Sequence, residues 1–151
     1  MHLYRITKEP YARDLSGTGS RLASGRWHPM GLPVIYTASS RALAALEVLA
    51  HIPASFVPRK YCLVDLFIPD EITVEVLDQS VLPSGWKASP PGPETQRLGE
   101  SWIRSNRTLV LKVPSALVAA EHNLLLNPQH PDMEQVAIRS VERFEFDSRL
   151  L

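Results

Sequence analysis

The chain has 151 residues, 44% of them hydrophobic, and its 16 Lys and Arg balance its 16 Asp and Glu to a formal charge of zero. Neutrality argues against a dedicated nucleic-acid binder, which shows a basic excess, and the apolar content excludes an acidic disordered chain. A chain of this length buries a sizeable core, so residues 1–151 are expected to form one domain.

Leu3 to Thr7 alternates apolar and polar residues and reads as a short strand. Residues 8–32 show no clear period and carry four of the seven glycines, Gly17, Gly19, Gly25 and Gly31. A long ordered loop in a small domain is often functional. Val34-Ile35-Tyr36-Thr37, after Pro33, reads as a second strand. Ser39 or Ser40 then caps a helix that runs to His51 through Ala42-Leu43-Ala44-Ala45-Leu46-Glu47-Val48-Leu49-Ala50, a run of helix formers. That run is apolar nearly all round, which predicts a buried helix. Pro53 and Pro58 close the segment.

Tyr61 to Ile68 and Ile72 to Leu77 read as strands separated by Pro69-Asp70-Glu71. Residues 83–93 form a proline-rich loop, and Glu94 to Ser105 a helix weakened or interrupted by Gly99. Leu109 to Val113 is a strand ended by Pro114. Residues 115–133 read as an irregular connection with a short helix around Leu117-Val118-Ala119-Ala120. Gln135 to Ile138 and Arg143 to Phe146 read as two closing strands. Strand and helix are mixed without regular βαβ alternation, so the expected class is α+β. The 13 prolines are about 9% of the chain against a usual level of about 5%, and with few glycines they point to stiff, ordered loops.

Cys62 is the only cysteine, so no disulfide can form within the chain. A small apolar strand residue in a reducing compartment is the expected role. Met1-His2-Leu3-Tyr4-Arg5 lacks the apolar stretch of a signal peptide, and no run approaches a membrane span. These readings place the protein in the cytoplasm with no membrane contact.

Several residues can carry chemistry. Glu47 is a single carboxylate in an otherwise apolar helix. It falls near Ser40 and His51 on one stripe, so it faces solvent, pairs with an arginine, or lines a cleft where it stabilises developing positive charge. Gly17-Thr18-Gly19-Ser20-Arg21-Leu22-Ala23-Ser24-Gly25-Arg26-Trp27 offers small residues, hydroxyls and two guanidinium groups, which suit phosphate. It matches neither a P-loop nor a dinucleotide fingerprint, and a surface loop with solvated arginines is the alternative. Tyr36 is a core aromatic or a stacking platform for a flat ring. Ser115, with no nucleophile elbow around it, reads as a hydrogen-bonding serine. The histidines at 2, 28, 51, 122 and 130 show no metal spacing, so no metal site is assigned.

In order and spacing these pieces resemble the RES-domain family, named for an Arg, a Glu and a Ser. The resemblance rests on Gly19-Ser20-Arg21-Leu22 with Gly25-Arg26-Trp27, Gly31-Leu32-Pro33-Val34-Ile35-Tyr36-Thr37-Ala38, and Ala42-Leu43-Ala44 with Leu46-Glu47-Val48-Leu49. It continues through Ser101-Trp102, Leu111-Lys112-Val113-Pro114-Ser115 and Asn123-Leu124-Leu125-Leu126-Asn127-Pro128. Three positions depart from the family pattern: His28 stands where Asn often follows the Arg-Trp pair, Leu124 where Tyr is frequent, and Ala23 where many members carry an aromatic.

The resemblance implies a single α+β domain like the ADP-ribosyltransferase fold of diphtheria toxin, a mixed β core flanked by helices with a cleft for NAD. It implies a bacterial toxin that destroys NAD by hydrolysis or phosphorolysis, or else transfers ADP-ribose to a protein. It also implies an antitoxin partner with an Xre-like helix-turn-helix domain in a hetero-oligomeric complex. NAD is then substrate, with no resident cofactor. The functional positions carried over are Arg21, Arg26, Tyr36, Glu47 and Ser115. In that reading Arg21 and Arg26 bind the pyrophosphate, Tyr36 stacks on nicotinamide, Glu47 stabilises the oxocarbenium-like ribose, and Ser115 orients. Nicotinamide leaves as a neutral base, so the two-carboxylate pair of most glycosidases is not needed. A non-enzymatic NAD-binding module is the remaining alternative. Charge is distributed to match: residues 1–60 carry 8 basic and 3 acidic groups (8 − 3 = +5) and residues 61–151 carry 8 and 13 (8 − 13 = −5). The first segment, with both arginines, suits an anionic dinucleotide.

Overall fold

A computed structural model describes residues 1–53, 55–56 and 60–151. Among these residues seven strands form one mixed sheet: β1 (His2–Lys8), β2 (Ile35–Ala38), β3 (Tyr61–Phe67), β4 (Val74–Val76), β5 (Val110–Pro114), β6 (His122–Leu126) and β7 (Ala137–Phe144). Their spatial order is β4-β5-β6-β2-β1-β3-β7. Only β4 and β5 pair in parallel; the other neighbours are antiparallel. Among the described residues three α-helices accompany the sheet: α1 (Thr18–Leu22), α2 (Arg41–His51) and α3 (Pro93–Ser105). The α+β expectation holds.

Side-chain alternation divides the core. Leu3, Ile35, Val64, Leu66, Val110, Leu124 and Leu126 face one side of the sheet, where Ala12, Leu15 and Met133 cover them. The other face is split between two helices. Trp102 and Ile103 of α3 pack on Leu111, Val113 and Leu125, with Tyr36 and Trp27 alongside. Leu43 and Ala44 of α2 pack on Ile6, Ala38 and Leu63. A seam therefore runs between α2 and α3 on the same face.

Local chemistry explains both long helices. Ser40 caps α2, its Oγ accepting the Leu43 N–H at 3.1 Å. Pro93 opens α3, Glu94 sits in its first turn, and Asn106 ends it at φ 51° in the left-handed region. The helix runs unbroken through Gly99, against the expected interruption. A Cβ at Gly99 would fall 1.7 Å from the Trp27 carbonyl oxygen, so this glycine lets α3 press onto the Trp27 backbone.

Several sequence expectations need correction. The largest concerns residues 115–133: no helix forms at 117–120, and His122–Leu126 is β6, an interior strand paired on both edges. Ala120 instead turns the chain at φ 65°. The two closing strands are one, β7, with a register shift opposite Asp65 and Leu66; Gln135 lies in a preceding 3-10 turn. The strand expected at 72–77 shortens to Val74–Val76. The long segment 8–32 holds a 3-10 turn at Glu9–Tyr11 and α1. Helix α2 buries only Leu43 and Ala44 and leaves Leu46 42% exposed, because among the described residues only its sheet-facing side is packed. Pro58 lies outside the described residues. Cys62 is buried and free, as expected. Among the described residues no helix is long and apolar enough to cross a membrane.

Candidate functional site

The register of β6 assembles the site. Asn123 pairs with Ala38 at the end of β2 on one side and with Val113 near the end of β5 on the other. β2 and β5 thus point the same way and finish at the same edge of the sheet. α2 starts beyond β2 and Ser115 follows β5, so Glu47 and Ser115 are brought together although 68 residues separate them.

Ser115 is 3% exposed. Its Oγ accepts the N–H groups of Leu117 and Val118, both at 3.1 Å, which consumes its acceptor capacity. The hydroxyl proton is left to donate, and it points to Glu47 Oε1 at 3.5 Å, a long contact. Glu47 is half-buried and forms no ion pair among the described residues. Its i+4 neighbour His51 reaches the Glu47 backbone carbonyl, at 2.6 Å, and not its carboxylate. Of the three readings the sequence left open, the arginine ion pair is not formed among the described residues, and the half-buried carboxylate lies beside Ser115.

Arg26 and Tyr36 stand on the other side of the seam. The Arg26 guanidinium donates through Nη1 to the carbonyls of Trp86 and, at 3.0 Å, Ala88, and through Nη2 to Lys87 at 3.5 Å. Five N–H groups minus these three leave Nε–H and one Nη2–H, an adjacent pair suited to side-on contact with an oxyanion. Burial lowers the Arg26 pKa from its usual value, and the nearby Glu47 and Tyr36 groups act in the opposite direction. The same contacts fold the proline-rich loop back over the site, with the Trp86 ring 6.0 Å from Trp27. Burial pushes the Tyr36 phenol above its usual range, so it stays protonated; the Trp27 N–H and Arg26 oppose that shift and Glu47 adds to it. Arg26 and Tyr36 both lie within electrostatic reach of the Glu47 carboxylate.

Arg21 is not part of this cluster. It is exposed in the last turn of α1, and its side chain makes no hydrogen bond or ion pair among the described residues. Two concavities, of about 280 and 590 Å3, lie elsewhere and contain none of these five residues. Among the described residues no three His, Cys, Asp or Glu side chains converge to hold a metal.

Sequence reasoning missed the residues that hold the site. His28, 2% exposed, contacts the Tyr36 hydroxyl at 2.7 Å. Gln96 of α3 donates to the Gly25 carbonyl at 3.0 Å, and Ser20 accepts the Val34 N–H at 2.7 Å. The signal for Gly25 was its place between two arginines; a Cβ there would fall 2.7 Å from Tyr36 Oη. Nothing in composition or spacing marked Gln96.

A mixed sheet with one face shared by two helices is an α+β architecture that fits the ADP-ribosyltransferase-like fold. The chain belongs to the RES-domain family of toxins: the family model described as "RES domain" matches residues 2–147. It is 42% identical over 142 residues to a "Prs ADP-ribosylating toxin" of Sphingobium sp. (strain YBL2), covering 93% of this chain and 88% of that one. It is 40% identical to a "Toxin Res" of Photorhabdus laumondii, over 100% of this chain and 97% of the relative. Among solved structures, the M. tuberculosis MbcT–MbcA toxin–antitoxin complex contains a chain with the same fold, at a TM-score of 0.74 and 22% identity, over 95% of this chain and 84% of that one.

Proposed function

We propose that this RES toxin cleaves the nicotinamide–ribose bond of NAD, releasing nicotinamide and passing the ADP-ribosyl group to water or phosphate. The observation that carries the reading is Glu47 on the seam, met by the Ser115 hydroxyl at 3.5 Å and faced by Arg26 and Tyr36. The C1′–N bond breaks with its electron pair going to the pyridine nitrogen, so the base leaves neutral and needs no proton. Positive charge builds on C1′ and its ring oxygen, where the Glu47 carboxylate stabilises it. Water, or phosphate, then attacks C1′, and a proton is lost to solvent or to Glu47. The free Nε/Nη2 edge of Arg26 takes the pyrophosphate, with Arg21 as a second cation, and the Tyr36 ring stacks on nicotinamide. Ser115 orients the carboxylate.

A second reading, mono-ADP-ribosyl transfer to a protein, is favoured by the name of the Sphingobium relative. It uses the same bond cleavage with a protein nucleophile in place of water. In either reading the toxin acts on cytoplasmic NAD and is neutralised by an antitoxin; an Xre-like helix-turn-helix partner fits the family pattern, and the toxin itself needs no nucleic-acid contact.

The test is to incubate purified protein with NAD, with and without phosphate, and to measure nicotinamide and the ADP-ribosyl product. Wild type is expected to release nicotinamide, and Glu47→Gln to lose at least about a hundredfold of that rate while melting like wild type. Label from NAD found on a protein would favour transfer. NAD bound without any cleavage would favour the non-enzymatic module, and neither binding nor cleavage would sink the NAD reading.

A further inference from the structure

We propose that His28 is a positioning residue that holds the Tyr36 ring and the Arg21 turn in one arrangement; this rests on the NAD reading of the site. His28 Nε2 lies 3.0 Å from the Ser20 carbonyl and 2.8 Å from the Ala23 carbonyl. Carbonyl oxygens only accept, so Nε2 carries the hydrogen. In the neutral ring Nδ1 is then the acceptor, and the Tyr36 hydroxyl donates to it at 2.7 Å. The same hydroxyl oxygen accepts the Trp27 N–H at 3.2 Å. Both capacities of the Tyr36 hydroxyl are thereby used within the protein, and its ring is what it offers to a ligand.

The other end of the imidazole fixes a different part of the site. Ser20 and Ala23 bracket Arg21 and Leu22, so the two carbonyls on Nε2 belong to the turn that presents Arg21. Gly31 N–H closes that turn from outside by bonding the Arg21 carbonyl at 3.1 Å. Gly25 leaves the space in which the two rings meet: a Cβ there would lie 2.7 Å from Tyr36 Oη and 2.9 Å from His28 Cε1. One buried side chain therefore ties an aromatic ring to the turn of an exposed cation, and the proposed reaction assigns both to substrate binding. Its loss should weaken NAD binding more than it slows the bond cleavage that Glu47 supports.

Two measurements test this. Nitrogen-15 NMR, read on the neutral ring, is expected to place the His28 hydrogen on Nε2; a neutral ring with its hydrogen on Nδ1 would overturn the arrangement. In steady-state nicotinamide release, His28→Phe is expected to raise KM for NAD about tenfold with kcat within about threefold, and His28→Gln, which keeps a donor and an acceptor, to recover part of the loss. Tyr36→Phe keeps the ring but drops the hydroxyl, so the Tyr36→Phe/His28→Phe double variant should be no worse than His28→Phe alone. The same order is expected for NAD affinity by calorimetry in the Glu47→Gln background. Additive losses, or an unchanged KM in folded His28→Phe, would refute the proposal while NAD cleavage by wild type stands. Should His28→Phe fail to fold, the ring tautomer together with KM for His28→Gln and Tyr36→Phe decides. If wild type neither binds nor cleaves NAD, the functional reading fails, and this proposal with it.

Discussion

Substituting Gly99 by alanine sets local propensity against tertiary packing. In an isolated helix alanine is favoured over glycine by about 0.5–1 kcal/mol, so propensity alone predicts that Gly99→Ala stabilises the protein. The methyl carbon would fall 1.7 Å from the Trp27 carbonyl oxygen and 2.7 Å from its carbonyl carbon. Close C–H···O contacts sit near about 3.3 Å, so α3 and the Trp27 backbone must part by about 1.6 Å. Both sides of the clash are held by structure with no rotamer to turn: the oxygen is backbone, and Trp102 and Ile103 anchor α3 on the sheet. Overpacking costs about 1–3 kcal/mol, and a backbone clash belongs at the upper end. Subtracting the propensity gain leaves a net loss of about 2 kcal/mol, or about 4–8 °C in Tm for a chain of this length. Thermal and urea unfolding would measure it, with Ser101→Ala on the exposed side of α3 as a control expected within about 0.5 kcal/mol of wild type. Because Trp27 donates to Tyr36 and follows Arg26, nicotinamide release should fall as well. A Gly99→Ala protein as stable as wild type would show that α3 is not seated on the Trp27 carbonyl.

Two further substitutions probe the supports of the site. Ser115→Ala removes the acceptor for the Leu117 and Val118 N–H groups and the donor to Glu47; it should lower stability by about 1–2 kcal/mol in urea unfolding and slow nicotinamide release about tenfold. Asn127 is fully buried, with Nδ2 donating to Ile103 O at 3.2 Å and Asn106 Oδ1 at 2.9 Å and Oδ1 accepting the Gln129 N–H at 3.1 Å. Asn127→Ala strands those partners and should cost about 2–3 kcal/mol, read as a lowered Tm, with KM for NAD unchanged.

The residues of the candidate site were legible in the sequence only as far as chemistry leaves a mark on residue type. Glu47 stands out because a carboxylate in an apolar helix needs a reason, and Arg26 because a guanidinium among glycines suggests an anion. Their partners leave no such mark. Arg26 is held by carbonyls at 86–88, which every residue possesses. His28 stands out in the sequence only as a departure from the family pattern; its role shows when its two carbonyls and the Tyr36 hydroxyl are seen around it. Helix α2 was misjudged for a related reason. Composition reports how apolar a helix is, not how many layers cover it, and among the described residues α2 is packed on its sheet-facing side alone.

The strand that the sequence concealed is the one on which the site depends. β6 is buried on both faces from Asn123 to Leu126 and paired along both edges, so it lacks the alternation that marks a half-exposed strand. Its apolar core is three leucines, followed at once by Asn127-Pro128 and His130-Pro131, and those turn signals outweigh so short a run. Yet removing β6 from the topology would separate β2 from β5 and leave Ser115 with no route to Glu47. Glu47 and Ser115 therefore meet through Asn123-Leu124-Leu125-Leu126, a segment that carries neither of them. A substitution such as Leu125→Asp, in the middle of β6, should abolish nicotinamide release by unfolding the sheet. Ser115→Ala should reduce release in a protein that still folds, and the contrast separates the strand's role from the serine's.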